Sequence, residues 1–127
     1  MIDEFRATDG KPPSWPGPSP LLLLHHRGAK TGTERVNPLA YLEDDGRRVI
    51  FASKAGAPTN PDWYHNLKAH PDTTVEVGAQ TFAVTATEAS GEERDRLFAE
   101  QARRSPQFAE YQEKTDRVIP AVVLAPR

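Results

Sequence analysis

Tight turns constrain this chain more than any other feature. Asp44-Asp45-Gly46 and Gly78-Ala79 each stand between short apolar or alternating runs. Aspartate-glycine pairs and leading glycines supply the positive φ angles that two-residue hairpin loops require. Parallel strands need a crossover of about a dozen residues or more, so runs joined this closely pair antiparallel. The runs are Leu21 to His26, Arg35 to Leu42, Arg48 to Ser53, Thr73 to Val77, Thr81 to Thr87 and Val118 to Leu124. Pro38 interrupts the second run. Proline cannot donate to a ladder, which assigns that run to an edge or a bulge. Short strands in meander order with short helices between them predict a mainly β (α+β) fold, a small closed or nearly closed antiparallel barrel rather than a Rossmann fold.

The helices carry start and stop signals. Asn60-Pro61 reads as an N-cap followed by proline at the first helical position, opening a helix to about Ala69 that His70-Pro71 ends. Ser90-Gly91-Glu92-Glu93 fits a capping box and opens a helix to about Arg103. Ser105-Pro106 repeats the cap-plus-proline device for a last helix to about Thr115. Residues 1 to 20 hold Pro12, Pro13, Pro16, Pro18 and Pro20, so beyond its first few residues this arm is neither regular helix nor central strand. The expected division is an arm over 1–20 and a barrel domain over 21–127. Trp15 favours a docked arm over a disordered leader.

A chain of 127 residues is long enough to bury one core. Its net charge of −2 gives no global pull toward nucleic acid or anionic lipid, so any anion site must be a local cluster. Cysteine is absent, which excludes disulfides and thiolate chemistry. Apolar runs such as Leu21 to Leu24 are far too short to span a membrane, and the expected location is the cytoplasm.

Chemistry concentrates around residues 25 to 42. Gly28 and Gly32 bracket Ala29, Lys30 and Thr31, with Arg27 and Arg35 close by. The pattern is not a phosphate loop of the Walker type, because Leu23 stands where its first glycine belongs and Ala29 separates Gly28 from Lys30. Two readings stay open: a solvated charged turn, or a glycine turn whose backbone donors and cations hold an anion. A second stretch adds weight to the latter. Ser53 and Lys54 lead into Ala55, Gly56 and Ala57, small residues that admit a ligand close to the backbone, ahead of the helix start at Asn60. Trp63 and Leu67 share a helical face, which suits core packing, while Tyr64 or Asn66 facing outward would suit a flat ligand with polar edges. No metal is expected: His25 and His26 point to opposite strand faces, and His65 and His70 are poorly spaced on a helix. A nucleophile elbow and a pairable set of carboxylates are also missing. In the last helix Phe108 and Tyr111 share a face near Ser105.

Together these stretches resemble the deazaflavin-dependent nitroreductase family of actinobacteria, small split β-barrel proteins, FMN-binding-like in fold, that bind coenzyme F-420. The matching phrases are Gly28-Ala29-Lys30-Thr31-Gly32 with Arg35-Val36-Asn37-Pro38-Leu39; Ala52-Ser53-Lys54 with Gly56; Asn60-Pro61 with Trp63-Tyr64 and Asn66-Leu67; and Thr115-Asp116-Arg117 with Ile119-Pro120. The resemblance covers about residues 21 to 126.

It implies that Lys30, Thr31, Gly32 and Arg35 take the anionic tail of the coenzyme, and that Asn37, Pro38, Ser53, Lys54, Gly56, Trp63 and Asn66 line the rest of it. It implies an oxidoreductase that delivers hydride from the reduced coenzyme to a quinone, nitroaromatic or conjugated enone. Ser105, Phe108 and Tyr111 would form the substrate pocket, with Tyr111 as a substrate contact or proton donor. Where the family often has several tyrosines on the last helix, Phe108 here can give neither a proton nor a hydrogen bond, and an apolar mouth of that kind suits flat acceptors. Membrane contact would come only through a quinone substrate, and no nucleic-acid partner is expected. Two alternatives use the same fold: a non-catalytic carrier of the coenzyme, and an FMN-binding protein.

Overall fold

A computed structural model of the chain describes residues 2–12 and 20–127. Its helices are α1 (Ile2–Ala7), α2 (Asp62–Ala69), α3 (Gly91–Arg104) and α4 (Gln107–Glu113), with a single 3₁₀ turn at Lys54–Gly56. Its strands are β1 (Leu21–Arg27), β2 (Glu34–Ala40), β3 (Leu42–Asp44), β4 (Arg47–Phe51), β5 (Asp72–Val77), β6 (Gln80–Glu88) and β7 (Ala121–Pro126). They form one seven-stranded sheet in the order β2-β1-β5-β6-β7-β4-β3. Every pairing is antiparallel. The edge strands β2 and β3 are separated in the chain by Tyr41 alone. One residue can join the two edges only if the sheet curls back on itself, which makes a half-barrel open along one seam.

The predicted class holds, with local differences. The run from Arg35 to Leu42 breaks at Tyr41, whose N–H turns to the Pro20 carbonyl at 3.0 Å, so one expected strand becomes two. The order is not a pure meander: β1 pairs with β5, and β4 with β7. Pro38 lies on β2, an edge strand. The hairpin angles follow the residues that allow them, with φ of 50° at Asp45, 82° at Gly46 and 59° at Gly78. The last strand starts at Ala121 rather than Val118, and Val118 stays exposed.

Two of the helix starts, those of α2 and α4, fall one residue later than their signals suggest, and α3 starts where expected. Pro61, not Asn60, occupies the N-cap of α2. Ser90 is at the N-cap of α3 without a side-chain cap bond, so the capping box does not close. Pro106 caps α4, and the Ser105 carbonyl accepts the Phe108 N–H at 3.1 Å.

Two faces of β1 explain why Leu21 to Leu24 are buried without alternation. Leu22 and Leu24 point into the barrel with Ile50, Val75, Val84 and Leu124, and α2 adds Trp63 and Leu67 to the same core. Leu21 and Leu23 pack on the other side against Phe5 of α1. A third cluster joins Val49 and Phe51 of β4 to Leu97 and Phe98 of α3 and Phe108 of α4. The N-terminal stretch therefore begins as a helix held to the sheet. Phe5 is fully buried, and Arg6 grips Glu76 through two bonds of 3.0 and 2.8 Å. Trp15 lies outside the described residues. Among the described residues, no helix is long and apolar enough to cross a membrane.

Asp44 ties the β3–β4 hairpin to α3. Its carboxylate accepts from Arg47 at 2.7 Å and from both Nη atoms of Arg96 at 3.1 Å. Arg96 first, and Arg47 with it, hold this carboxyl at about 2, below its ordinary 3.8. A depressed carboxylate stabilises the fold fully above its unfolded pKa and loses that contribution as pH falls through the folded one. Asp44→Asn is thus expected to lower the urea-unfolding free energy at pH 6 by about 1 kcal/mol after allowing for solvent screening. The difference from the parent chain should shrink between about pH 4 and pH 2. A gap unchanged down to pH 2 would mean that the charge is not what stabilises the contact.

Candidate functional site

Two concavities meet along β2 and α2. A cleft of about 270 Å³ is floored by Ser53, Lys54 and Ala55, walled by Pro38 and Trp63, and covered by Phe108 and Tyr111 of α4. A more open groove of about 480 Å³ is lined by Gly28, Ala29, Lys30, Thr31, Arg35 and the Asp62–His65–Asn66 side of α2. Arg35 in the groove and Pro38 in the cleft are three residues apart on one strand, roughly 10 Å of backbone. Asp62 and Trp63 are neighbours on one helix and face different concavities.

The groove is built on a turn held from below. Gly32 N–H reaches the Gly28 carbonyl at 2.9 Å, and Gly28 N–H the Thr33 carbonyl at 2.9 Å. Ala29 N–H donates to Asn66 Oδ1 at 2.9 Å. That bond fixes the orientation of the Asn66 amide, so its Nδ2 donates to His26 Nδ1 at 3.0 Å. His26 Nε2 must then carry the proton, which it gives to Asn37 Oδ1. The buried His26 is therefore a link between β2 and α2 and was not singled out by sequence reasoning beyond its strand position. The N–H groups of Lys30 and Thr31 have no acceptor among the described residues. Arg27, Lys30 and Arg35 form no ion pair there either. By contrast, Arg6, Arg47, Arg94, Arg96, Arg103 and Arg104 all sit on carboxylates. Asp62 is the one carboxylate on the groove wall.

The cleft floor is strained. Lys54 and Ala55 have φ of 45° and 52°, followed by Gly56 at 82°. Left-handed backbone costs a residue with a side chain roughly 1–2 kcal/mol. Arg117 holds the segment through its guanidinium. Nε donates to the Ala57 carbonyl at 2.9 Å, Nη1 to the Ala52 carbonyl at 2.9 Å and to Asn60 Oδ1 at 2.8 Å, and Nη2 to the Ser53 carbonyl at 2.9 Å. Burial pushes the Arg117 pKa down from its ordinary value. Asn60 is thus a partner of this clamp rather than a helix cap.

The predicted site residues separate by task. Lys30, Thr31, Arg35 and Asn66 line the groove, and Pro38, Ser53, Lys54, Trp63, Phe108 and Tyr111 line the cleft. Trp63 does both of the things considered for it, packing in the barrel core and facing the cleft. Phe108 sits between Phe51 and Tyr111, with ring centroids 5.9 and 5.4 Å away at steep angles. Five residues are placed differently. Ser105 is buried beneath α4 and does not line the cleft. Gly56 faces α4: a Cβ there would lie 2.8 Å from the Tyr111 carbonyl and from Lys114 Cβ, so helix packing demands this glycine. Gly32 is needed for its φ of 71°, with open space around it. Asn37 is turned to His26. Tyr64 points away from both concavities, its O–H donating to Glu88. Thr31 shapes the turn, since its hydroxyl accepts the Thr33 N–H at 3.2 Å and covers Gly28, where a Cβ would come within 2.5 Å. Among the described residues, no group of three His, Cys, Asp or Glu side chains is arranged to hold a metal.

Comparison with known proteins identifies the lineage. The profile of the family described as F420H(2)-dependent quinone reductase matches residues 2–126. An F420H(2)-dependent quinone reductase of Mycobacterium tuberculosis is 42% identical over 127 residues, covering 97% of this chain and 85% of that protein. Among solved structures, an F420-H2 dependent reductase named FDR-A is 40% identical with a TM-score of 0.75, covering 82% of this chain and 92% of its own. Another, a domain-swapped dimer, is 39% identical with a TM-score of 0.77 over 97% of this chain and 90% of its own. The curled antiparallel sheet is the split barrel of these relatives. With the match running over nearly its whole length, the chain belongs to the F420H(2)-dependent quinone reductase family.

Proposed function

We infer that the chain is an oxidoreductase that passes hydride from reduced coenzyme F-420 to a quinone. One observation carries the residue assignment. The described cations without a carboxylate include Lys30 and Arg35, side by side on a groove that opens beside an aromatic-walled cleft. A planar heterocycle with a long acidic tail fits that pair of surfaces: the cleft offers Trp63, Pro38 and Phe108, and the groove offers two cations and two free amides.

Lys30 and Arg35, with the Lys30 and Thr31 N–H groups, would hold phosphate and carboxylates. Ser53, Lys54, Pro38 and Trp63 would seat the ring, while Asn37, Asn66, Gly32 and Gly56 act through the shape of the backbone. When bound, the coenzyme supplies the hydride, two electrons together. The chain contributes alignment and exclusion of water. Phe108 and Tyr111 cover the cleft, so a flat acceptor would lie under α4, against these two side chains. A quinone that gains hydride needs one proton to become a quinol. Tyr111 presents the only side-chain hydroxyl that α4 contributes to the cleft lining and is the proposed donor. Nitroaromatics and conjugated enones share the flat, electrophilic shape and are proposed as further acceptors. Ser105, buried under the helix, would act on substrate only by supporting Phe108. The reaction would meet a membrane only where its quinone resides. Neither a non-catalytic carrier nor an FMN protein is favoured by the family to which the chain belongs.

The central test is mixing the protein with reduced coenzyme and a quinone and following the coenzyme's absorbance. Oxidation is expected; tight binding without turnover on any of a quinone panel would leave a carrier. Lys30→Ala or Arg35→Ala should each weaken binding of the full coenzyme about tenfold, the scale of one charge-assisted contact, and more strongly at low salt. Affinity for a tailless deazaflavin should not change. An equal loss for both ligands would move the tail elsewhere. Phe108→Tyr restores a hydroxyl at the cleft mouth and should raise the rate of nitro reduction; an unaltered rate would place the acceptor away from α4.

A further inference from the structure

Resting on that reading of the cleft, we infer that Arg117 is a positioning residue: it holds the left-handed turn at Lys54–Gly56 that floors the cleft and fixes it against the covering helix α4. The turn closes with few bonds of its own, Gly56 N–H to the Ser53 carbonyl at 2.9 Å and Ala57 N–H to the Lys54 carbonyl at 3.0 Å. Its two strained residues have no Cβ-free backbone to relieve them. What keeps the segment in place comes from 57 to 65 residues further along the chain. One guanidinium donates to the carbonyls of Ala52, Ser53 and Ala57 and to Asn60. These acceptors surround a planar fork whose donors are already fixed in direction, a geometry that a lysine ammonium cannot reproduce.

The main chain of the same residue is tied to α4. Gln112 Nε2 donates to the Arg117 carbonyl at 2.7 Å, and Gln112 Oε1 accepts from Ile119 N–H at 3.1 Å and Arg94 Nη2 at 2.8 Å. Gly56 lies directly under the helix, too close to Tyr111 and Lys114 for any side chain. Arg117 therefore touches both walls of the cleft, the turn with its guanidinium and the helix with its backbone. The consequence lies in the N–H groups of Lys54 and Ala55. They have no acceptor among the described residues and belong to residues that line the cleft. Held open in this way, with the Ser53 hydroxyl beside them, they form a small set of donors for the polar edge of a bound ring.

The test uses the whole chain carrying Arg117→Lys, with Asn60→Ala as a milder variant that removes one acceptor of the clamp. Hydrogen exchange needs no coenzyme. Protection of the Gly56 and Ala57 amides should fall at least tenfold in Arg117→Lys and less in Asn60→Ala, while β5, β6 and α3 keep theirs. Fluorescence titration with a tailless deazaflavin should show a dissociation constant about tenfold higher in Arg117→Lys, with no such change in Arg35→Ala. Unchanged exchange at Gly56 and Ala57 would overturn the clamp. Lost protection with unaltered tailless-ligand affinity would overturn the positioning role. A parent chain that binds neither full nor tailless deazaflavin would overturn the coenzyme reading instead, and the exchange data would still judge the clamp.

Discussion

The site depends on α2 being driven into the mouth of the barrel. Trp63 and Leu67 lie on one face of that helix and are nearly fully buried among Leu22, Leu24, Val75 and Val122. Removing two such side chains from water stabilises the docking by several kcal/mol, on the order of 2–3 for each. Once that face is committed, the rest of the helix has no choice of surroundings. Trp63 also closes the inner wall of the cleft, Asn66 comes up under the glycine turn, and Asp62 and His65 look onto the groove. A single packing event thus brings a strand turn at Gly28–Gly32 and a strained loop at Lys54–Gly56 to different sides of one helix.

Features governed by local sterics were readable in the sequence. The hairpins at Asp45-Gly46 and Gly78-Ala79 form because few residues tolerate the angles, and Pro38 lies on an edge because it lacks a donor. Helix existence was readable too, whereas the caps slipped. Asn60 and Ser90 are good N-caps by type, yet Asn60 is taken by Arg117 and Ser90 makes no cap bond. The contacts that assemble the site were not readable, because they join residues with no shared period. Asn66 meets Ala29 and His26 across 37 and 40 positions, and Arg117 meets Ala52 across 65. Gly56 shows the same limit. Its small size suggested room for a ligand, while its actual neighbour is a helix whose position no local rule gives. Lys30, Arg35, Ser53, Lys54, Trp63, Phe108 and Tyr111 were singled out through the family resemblance; Lys30 and Arg35 line the groove and the other five line the cleft.

Electrostatics works here by omission. The chain is slightly acidic overall, and most of its arginines are neutralised by nearby carboxylates. Against that background Arg27, Lys30 and Arg35, without carboxylate partners among the described residues, define a local positive surface without any large net charge. Such a surface acts over about 8 Å at physiological salt, so under the proposed assignment it would hold a tail already in the groove without steering ligands from afar. Geometry supplies the selectivity. Two free amides on a turn braced by Asn66 ask for an acceptor at a set place, and Asp62 opposes anions that stray along the helix.

Hydride transfer asks for something different from the opposite end of the ligand. Donor and acceptor must lie face to face about 3–3.5 Å apart, and a small error in separation costs far more rate than a small loss of affinity. A mobile floor under the ring would introduce that error. The cleft therefore carries its strain where a weaker design would carry slack: left-handed residues, a glycine packed against helix backbone, and one arginine fork holding three carbonyls at the same 2.9 Å. The opposite wall is fixed by different means, a stack of Phe51, Phe108 and Tyr111 in edge-to-face contact. Rings packed this way resist sliding while leaving a smooth apolar surface. On the proposed reading of the cleft, a flat acceptor would be selected by thickness and planarity more than by hydrogen bonds, the form of recognition a quinone, with little to offer beyond its two carbonyls, can satisfy.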